Sequence, residues 1–502
     1  MSSELQSLFI EEPLLTFGEG KQHIDPKMGL LAYGPCLFPE RRIISSSIRL
    51  GVIGSKDTID LTRQWIERCQ GEIAGKPENP RLFPSFPGFT RVFGSELRIL
   101  DECIELLTEN EIKNVVSIRN FNQRVRKAAE LFLEKLLNLR VREPRPHVVI
   151  LALPQQIVDT CALKKAAHGK TRAGLTTQER KILRMIRKHR EIGQTTLIPL
   201  DESMLIFHPT SDLRRVIKAK AMEIGMPTQL VWPRTLKTGI KDEVIQDEAT
   251  RAWNLSVALY YKAEGYPWKL TKMPVGTCYV GVSFYRTLSE QNVRTSLAQV
   301  FTHTGEGLVL RGGRAIIDRI TRSPHLSEKA AFQLMKNALE LYEKQMRQLP
   351  TRLVVHKSSR YWSEELLSFK KAAKEIELVD FVAIHNRGIR FMRRRGKYPP
   401  LRGTVIQTGK NNYILFTKGY IPYFRTYPGL RVPVPLEIVE HYGDSPMKDI
   451  SEEILALTKM NWNSADFCIR EPITLAYSRE VGKILAYIPE EVIPRPEYRF
   501  YM

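Results

Sequence analysis

Apolar residues in this chain gather into short dense runs, and between the runs they recur at helical spacing. The densest early run, Val-Val-Ile-Leu-Ala-Leu within residues 147–153, fits a parallel strand covered on both faces. Residues 43–53 read as a strand before it, and residues 57–74 as an amphipathic helix following that strand. Residues 97–107 and 120–139 also predict helices, with a Pro- and Phe-rich loop at 77–93 ahead of them. In the second half, Cys278-Tyr-Val-Gly-Val-Ser283-Phe-Tyr and Leu353-Val-Val-His-Lys-Ser358-Ser are Val-rich and bounded by turn residues, so each predicts a short buried strand. Residues 327–349 predict a long helix leading into the second of these. This alternation places the chain in the α/β class, with a Rossmann-like layer in its first half.

The best-punctuated element lies between the halves. In Ser211-Asp-Leu-Arg-Arg-Val-Ile-Lys-Ala-Lys-Ala-Met-Glu-Ile-Gly225, Ser211 or Asp212 can cap a helix that Gly225 ends and Pro227 keeps from resuming. Leu213, Ile217 and Ile224 line one face, and Arg214 and Lys218, four residues apart, share a stripe beside it. Two cations near a helix start, where backbone N–H groups lack partners, form a candidate anion site. Gln229 follows Lys218 by eleven residues, and the next predicted helix carries Asn254 and Lys262. On these residues alone, a basic amphipathic helix with scattered polar neighbours is the favoured explanation of the pattern.

Charge changes the picture. Lys and Arg total 76 against 55 Asp and Glu, and the net +21 suits a polyanionic partner. Two basic segments stand out. One, at 164–190, contains Arg180, Lys181, Arg184, Arg187, Lys188 and Arg190; the other, at 388–402, contains Arg393, Arg394, Arg395 and Lys397. Each reads as a phosphate-facing arm or as a solvated surface. The six cysteines are scattered with no Cys-x-x-Cys pair, which argues against a zinc site or disulfide framework and favours a reducing compartment. There is no signal-peptide pattern at the start and no apolar run near the roughly 18–20 residues that span a bilayer, so the expectation is a cytoplasmic protein without a membrane partner.

Several pieces in order resemble the PIWI domain of Argonaute proteins, an RNase H-like fold. They are Tyr279-Val-Gly-Val-Ser283, Glu306-Gly-Leu-Val-Leu-Arg-Gly312, the helix at 327–349, Leu353-Val-Val-His-Lys-Ser358, Asn461-Trp-Asn-Ser, and Pro472-Ile-Thr-Leu-Ala-Tyr-Ser-Arg479. The length is closest to short prokaryotic Argonautes, which implies a MID domain with an N-terminal segment at 1–265 and a PIWI domain at 266–502. The resemblance puts Ser283, Ser358 and Arg479 where active members carry metal-binding residues. A serine hydroxyl is neutral at pH 7 and cannot replace a carboxylate in a two-metal site. The expectation is therefore a nuclease scaffold that does not cut, and not an enzyme.

The same resemblance implies that Arg214, Lys218, Gln229, Asn254 and Lys262 grip a guide's 5′ phosphate. Arg214 stands where the family has Tyr or His. It further implies a structural Mg²⁺ at the guide 5′ end, held by the terminal carboxylate of Met502 and by Gln229. Arg311, Lys357, Arg393, Arg394 and Arg395 are candidates for backbone contacts, although Lys357 can equally pair with a local acid. The implied partners are a short guide RNA, a complementary single-stranded DNA target and an APAZ-containing effector of TIR, sirtuin or nuclease type, with oligomerisation on activation, in an antiviral or anti-plasmid role. Two alternatives stay open: an active metal-dependent nuclease using Glu306, Asp318, Glu364 or Asp380, and an unguided nucleic-acid-binding protein.

Overall fold

The computed structural model describes residues 6–36, 46–161, 164–165, 171–172, 212–239, 245–286, 293–301, 307–318, 320, 323–386, 389–391, 395–429, 431–489 and 492–502. The first strand, β1 (Ser7–Phe9), serves the far half of the chain: it pairs antiparallel with residues 404–406. After two short strands, Leu15–Thr16 and Gln22–His23, that form a small sheet with Lys269–Leu270, four strands form a sheet of their own. They are β2 (Ser47–Gly54), β3 (Glu96–Leu106), β4 (Val148–Ala152) and β5 (Thr228–Val231), in the order β3-β2-β4-β5 and all parallel. β4 is buried at every position, which is why it reads as an unbroken apolar run. Helices α1 (Lys56–Arg68), α2 (Phe121–Arg140), α3 (Leu213–Ile224) and α4 (Glu248–Lys262) complete this Rossmann-like layer.

Residues 97–107 overturn their helical expectation, because they are strand β3. Between the pairs Leu50–Ile99 and Val52–Ile104, β2 advances two positions while β3 advances five. That bulge resets the strand's alternation and leaves Leu97, Leu100, Ile104 and Leu107 spaced like one face of a helix. The helix expected at 57–74 ends at Arg68, where the chain turns off through Gly71 so that Ile73 can bridge Phe86. The loop at 77–93 carries a short helix, Phe89–Phe93, at its end. α2 falls within a residue of expectation. α3 is capped by Asp212, whose carboxylate accepts from the Arg215 N–H at 3.2 Å, and it stops at Gly225 with φ of 76°.

The second half forms a ten-stranded sheet that includes β1. Its strands are β6 (Thr277–Arg286), β7 (Val293–Phe301), β8 (Gly307–Ile317), β9 (Pro324–Leu326), β10 (Arg352–Lys357), β11 (Leu378–His385), β12 (Thr404–Gly409), β13 (Asn412–Leu415) and β14 (Leu436–Tyr442). The order is β1-β12-β13-β14-β11-β10-β6-β7-β8-β9. β8, β7 and β6 form an antiparallel meander, and β10 and β11 then join β6 in parallel, which is the RNase H-like arrangement. Helices α5 (Glu328–Met346) and α6 (Ser363–Ala372) belong to this half, and α7 (Ile473–Leu485) packs on β6 and β7. Gly281 of β6 has to lack a side chain there, since a Cβ would sit 2.1 Å from the Thr474 carbonyl oxygen. One hydrophobic core runs through both halves, from Ile48 and Val52 by way of Trp253 to Tyr279 and Ile454. Among the described residues no helix is long and apolar enough to cross a membrane.

Candidate nucleic-acid interface

The start of α3, the end of β5 and the last residue of the chain meet around a cavity of about 870 Å³. Arg214, Lys218, Gln229, Trp232 and Arg234 line it from the first half, and Asn463 and Met502 from the second. Arg214 stands exposed at its rim. The Lys218 side chain is buried and donates to the Thr228 carbonyl; Lys262, at the end of α4 and equally buried, donates to Oε1 of Gln229. The two ammonium groups thus anchor on consecutive residues of β5. Burial pushes the Lys262 amine down to about 7, with the Arg214 guanidinium adding to the effect. Burial depresses Lys218 well below the usual lysine range, and Lys262 and Arg214 push it the same way. Among the described residues, neither lysine forms an ion pair with a carboxylate. Asp159, Asp212 and the Met502 terminus line the same cavity, but none of them pairs with either lysine, and a phosphate can supply that partner.

Asn254 does not face this cavity. Its Oδ1 accepts from the Ala465 N–H at 2.9 Å and its Nδ2 donates to Gln246 at 3.2 Å, which ties α4 to the 461–466 loop. The tail is fixed by the Tyr498–Tyr477 stack and by the Tyr501 hydroxyl donating to the Arg495 carbonyl at 2.7 Å, so Met502 is buried in the cavity wall. For a hard cation such as Mg²⁺, the terminal carboxylate is a suitable oxygen donor. Gln229 fits less well, because its carbonyl oxygen already accepts from Lys262. Sequence reasoning missed Trp232 and Arg234; the Pro233 between them, which starts the short helix Pro233–Leu236, was the available signal.

A second group of predicted residues lies at the end of the ten-stranded sheet. Pairing of Val282 with Lys357 sets Ser283, inside β6, beside Ser358, just past the end of β10, and the Ser358 N–H donates to the Val282 carbonyl at 3.1 Å. Arg479 on α7 pairs with Glu471 at 2.7 Å, and Glu471 also accepts from Asn386, just past the end of β11. Neither Glu471 nor Asn386 was anticipated. The acids of the nuclease alternative sit elsewhere or serve other purposes. Asp380, at the start of β11, is held by Arg352, His441 and Ser445; burial opposes its ionisation, yet these hydrogen bonds bring its carboxyl down to about 2. Asp318 caps a turn by accepting from the Ile320 N–H, and Glu364 is exposed in the first turn of α6. Glu306 lies outside the described residues.

Two expected backbone contacts are corrected. Lys357 is fully buried and pairs with Glu365 at 2.8 Å, between the rings of Phe284 and Tyr361, so the local acid takes it. Arg311 donates to the carbonyls of Ile488, Pro489 and Val492, clamping the segment after α7 to β8. Arg395 is exposed; Arg393 and Arg394 lie outside the described residues, as do all six named cations of the 164–190 segment.

No family model matches the chain. Over 274 residues it is 24% identical to the protein argonaute of Aquifex aeolicus (strain VF5), covering 54% of this chain and 35% of that protein. Its fold is similar to Clostridium butyricum Argonaute bound to a guide DNA (5′ deoxycytidine) and a 19-mer target DNA, with TM-score 0.62 and 17% identity over 98% of this chain and 54% of that one. Drosophila Piwi gives TM-score 0.60 at 11% identity over 99% of this chain and 56% of its own, and A. aeolicus Argonaute gives 0.56 at 15% over 98% and 55%. The chain spans about a third of the curated relative it matches and a little over half of each of these structures.

Proposed function

We propose that the chain is a member of the Argonaute family, of the short prokaryotic type, and that it recognises nucleic acid through a bound guide. The observation that carries this reading is the buried Lys218 in a cavity wall that includes Gln229 and Met502, with the buried Lys262 held behind Gln229 and neither lysine paired with an acid. A guide's 5′ phosphate enters there and accepts from both lysines and from Arg214. Lys262, with its amine near 7, takes up a proton as the dianion arrives. The Met502 carboxylate, together with the guide's own phosphate oxygens, would hold a Mg²⁺ ion, which supplies charge neutralisation at the crowded 5′ end. The similarity to an Argonaute solved with guide and target DNA supports the same use of the fold.

Beyond the anchored end, base pairing reads the sequence while the protein holds the backbone, and a pre-ordered guide lowers the entropic cost of pairing. The guide is a short RNA and the target a complementary single-stranded DNA. The target is bound and not cut, because the neighbouring positions Ser283 and Ser358 offer hydroxyls where a two-metal site needs carboxylates. Output then comes from a separate APAZ-containing effector of TIR, sirtuin or nuclease type, in cytoplasmic defence against phage or plasmids, with assembly into oligomers on target recognition.

The test compares 5′-phosphorylated and 5′-hydroxyl guides on the wild type and on Lys218→Ala/Lys262→Ala. Loss concentrated on the phosphorylated guide supports the reading; equal loss on both favours an unguided binder. Guide-dependent cleavage with Mg²⁺ or Mn²⁺ that stops on removing Glu306 or Glu364 would overturn the inactive assignment.

A further inference from the structure

The end of the ten-stranded sheet that carries Ser283 and Ser358 holds another cavity. β11 runs parallel to β10 and ends at His385, which lies opposite Glu437 near the start of β14; β12 starts and β13 finishes at this same end. Residues 391, 396–400, 416, 427, 429 and 431–433 enclose about 340 Å³ here. Four aromatic rings, Phe391, Tyr398, Phe416 and Tyr427, line this space. Phe416 is buried, and Phe391 packs on it with centroids 5.7 Å apart while staying 37% exposed. Tyr398 is backed by Tyr420 at 4.8 Å, and the Tyr427 hydroxyl donates to the Arg431 carbonyl at 2.6 Å. Lys397 and Arg431 are exposed at the rim, and no Asp or Glu is among the lining residues.

Backed rings and the prolines Pro399, Pro400 and Pro433 make this a pre-formed slot. Its walls suit a flat ring, and its rim suits an anion attached to that ring. An aromatic side chain of a protein would use the walls and leave both cations idle; a nucleotide uses both. The volume is at the lower end of small-ligand cavities, enough for one base. The position matters as much as the chemistry, because a strand lying along the Ser283–Ser358 edge continues toward the end of β11.

We infer that this cavity takes up one unpaired nucleobase of a bound strand, with Lys397 and Arg431 on its phosphates. The inference rests on the reading of the chain as a nucleic-acid binder, though not on the 5′-phosphate cavity.

The experiment uses the full chain and a decathymidylate carrying one 5-iododeoxyuridine. Ultraviolet crosslinks mapped by mass spectrometry are expected on peptides containing residues 395–400 or 427–433. Crosslinks confined to other regions would overturn the inference. In parallel, wild type and Phe391→Ala/Lys397→Ala, both positions exposed, are titrated with the decamer and with an abasic decamer of equal length. The expected result is a loss of roughly tenfold for the base-bearing strand and a smaller loss, from Lys397 alone, for the abasic one. Equal losses for the two strands would count against base uptake. Occupancy by N-acetyltryptophanamide without any by the decamer would reassign the slot to a protein side chain. The ratio of affinities for 5′-phosphorylated and 5′-hydroxyl guides, which reads Lys218 and Lys262, stays unchanged in this variant. A chain that crosslinks here yet ignores the 5′ phosphate would sink the guide reading and leave this site standing.

Discussion

Among the described residues four lysines lie fully buried, and they fall into two pairs. Lys357 and Lys459 each meet a glutamate, Glu365 and Glu12, at 2.8 Å. Lys218 and Lys262 meet only a backbone carbonyl and a side-chain amide. The first pair is internally neutralised and holds the second half of the protein together. The second pair has no acid partner, its amines are depressed by burial, and Lys218 borders an open cavity. Burial of a lysine is therefore no guide to its role here; what separates the two regions is whether the chain provides the anion.

The largest expected effect breaks the neutralised pair. Lys357→Ala strands the Glu365 carboxylate in the core and should cost about 3–5 kcal/mol, read by denaturant melting, while Lys357→Met/Glu365→Leu recovers much of that loss. The cavity pair should behave in the opposite way. Lys218→Ala or Lys262→Ala should weaken a 5′-phosphorylated guide by roughly ten- to a hundredfold in equilibrium titration, since a hydrogen bond to a charged group contributes about 1.5–3 kcal/mol. Thermal stability of the guide-free protein should hold or rise, because a depressed cation has been removed.

Acidity sharpens the contrast further. In the unfolded chain Lys262 titrates near the usual value of about 10.4, and in the fold near 7. Between those values the unfolded state binds the extra proton, so stability of the free protein gains from this group as pH rises from 7 toward 10. Guide binding returns the proton, so affinity should fall over the same interval, by up to about tenfold per pH unit for one proton. Opposite slopes in melting and in titration would support the assignment, and parallel slopes would remove it. The smallest effect concerns Arg311. Arg311→Ala should lower stability by about 1–2 kcal/mol through the lost carbonyl clamp and leave guide affinity unaltered.

Much of the fold was legible where local signals agree with tertiary ones. The cap and terminator of α3, the unbroken run of β4, and the order of the β6, α5 and β10 segments each say one thing at both levels. β3 was misread because its bulge, a consequence of pairing with β2, imposes a helix-like spacing that no local rule reveals. The cavity residues were legible as a set of cations near a helix start, and Asn254 was included because it shares α4 with Lys262. Its true partner, the backbone of Ala465, is remote in sequence. The same holds for charge neutralisation: Lys459 finds its acid at position 12, near the other end of the chain. Which cations are quenched is a property of topology.

The pairing of β1 with β12 has a consequence for biogenesis. The partners of residues 7–9, at 404–406, leave the ribosome roughly 20–80 s after them at typical elongation rates. Throughout that interval Leu8 and Phe9 have no sheet to join, while the Rossmann-like layer, whose last strand is complete at residue 231, is free to fold. Residues 7–9 thus join the sheet only after the first half has had time to fold, and a nascent chain halted before position 404 carries a complete Rossmann-like layer and an unpaired β1.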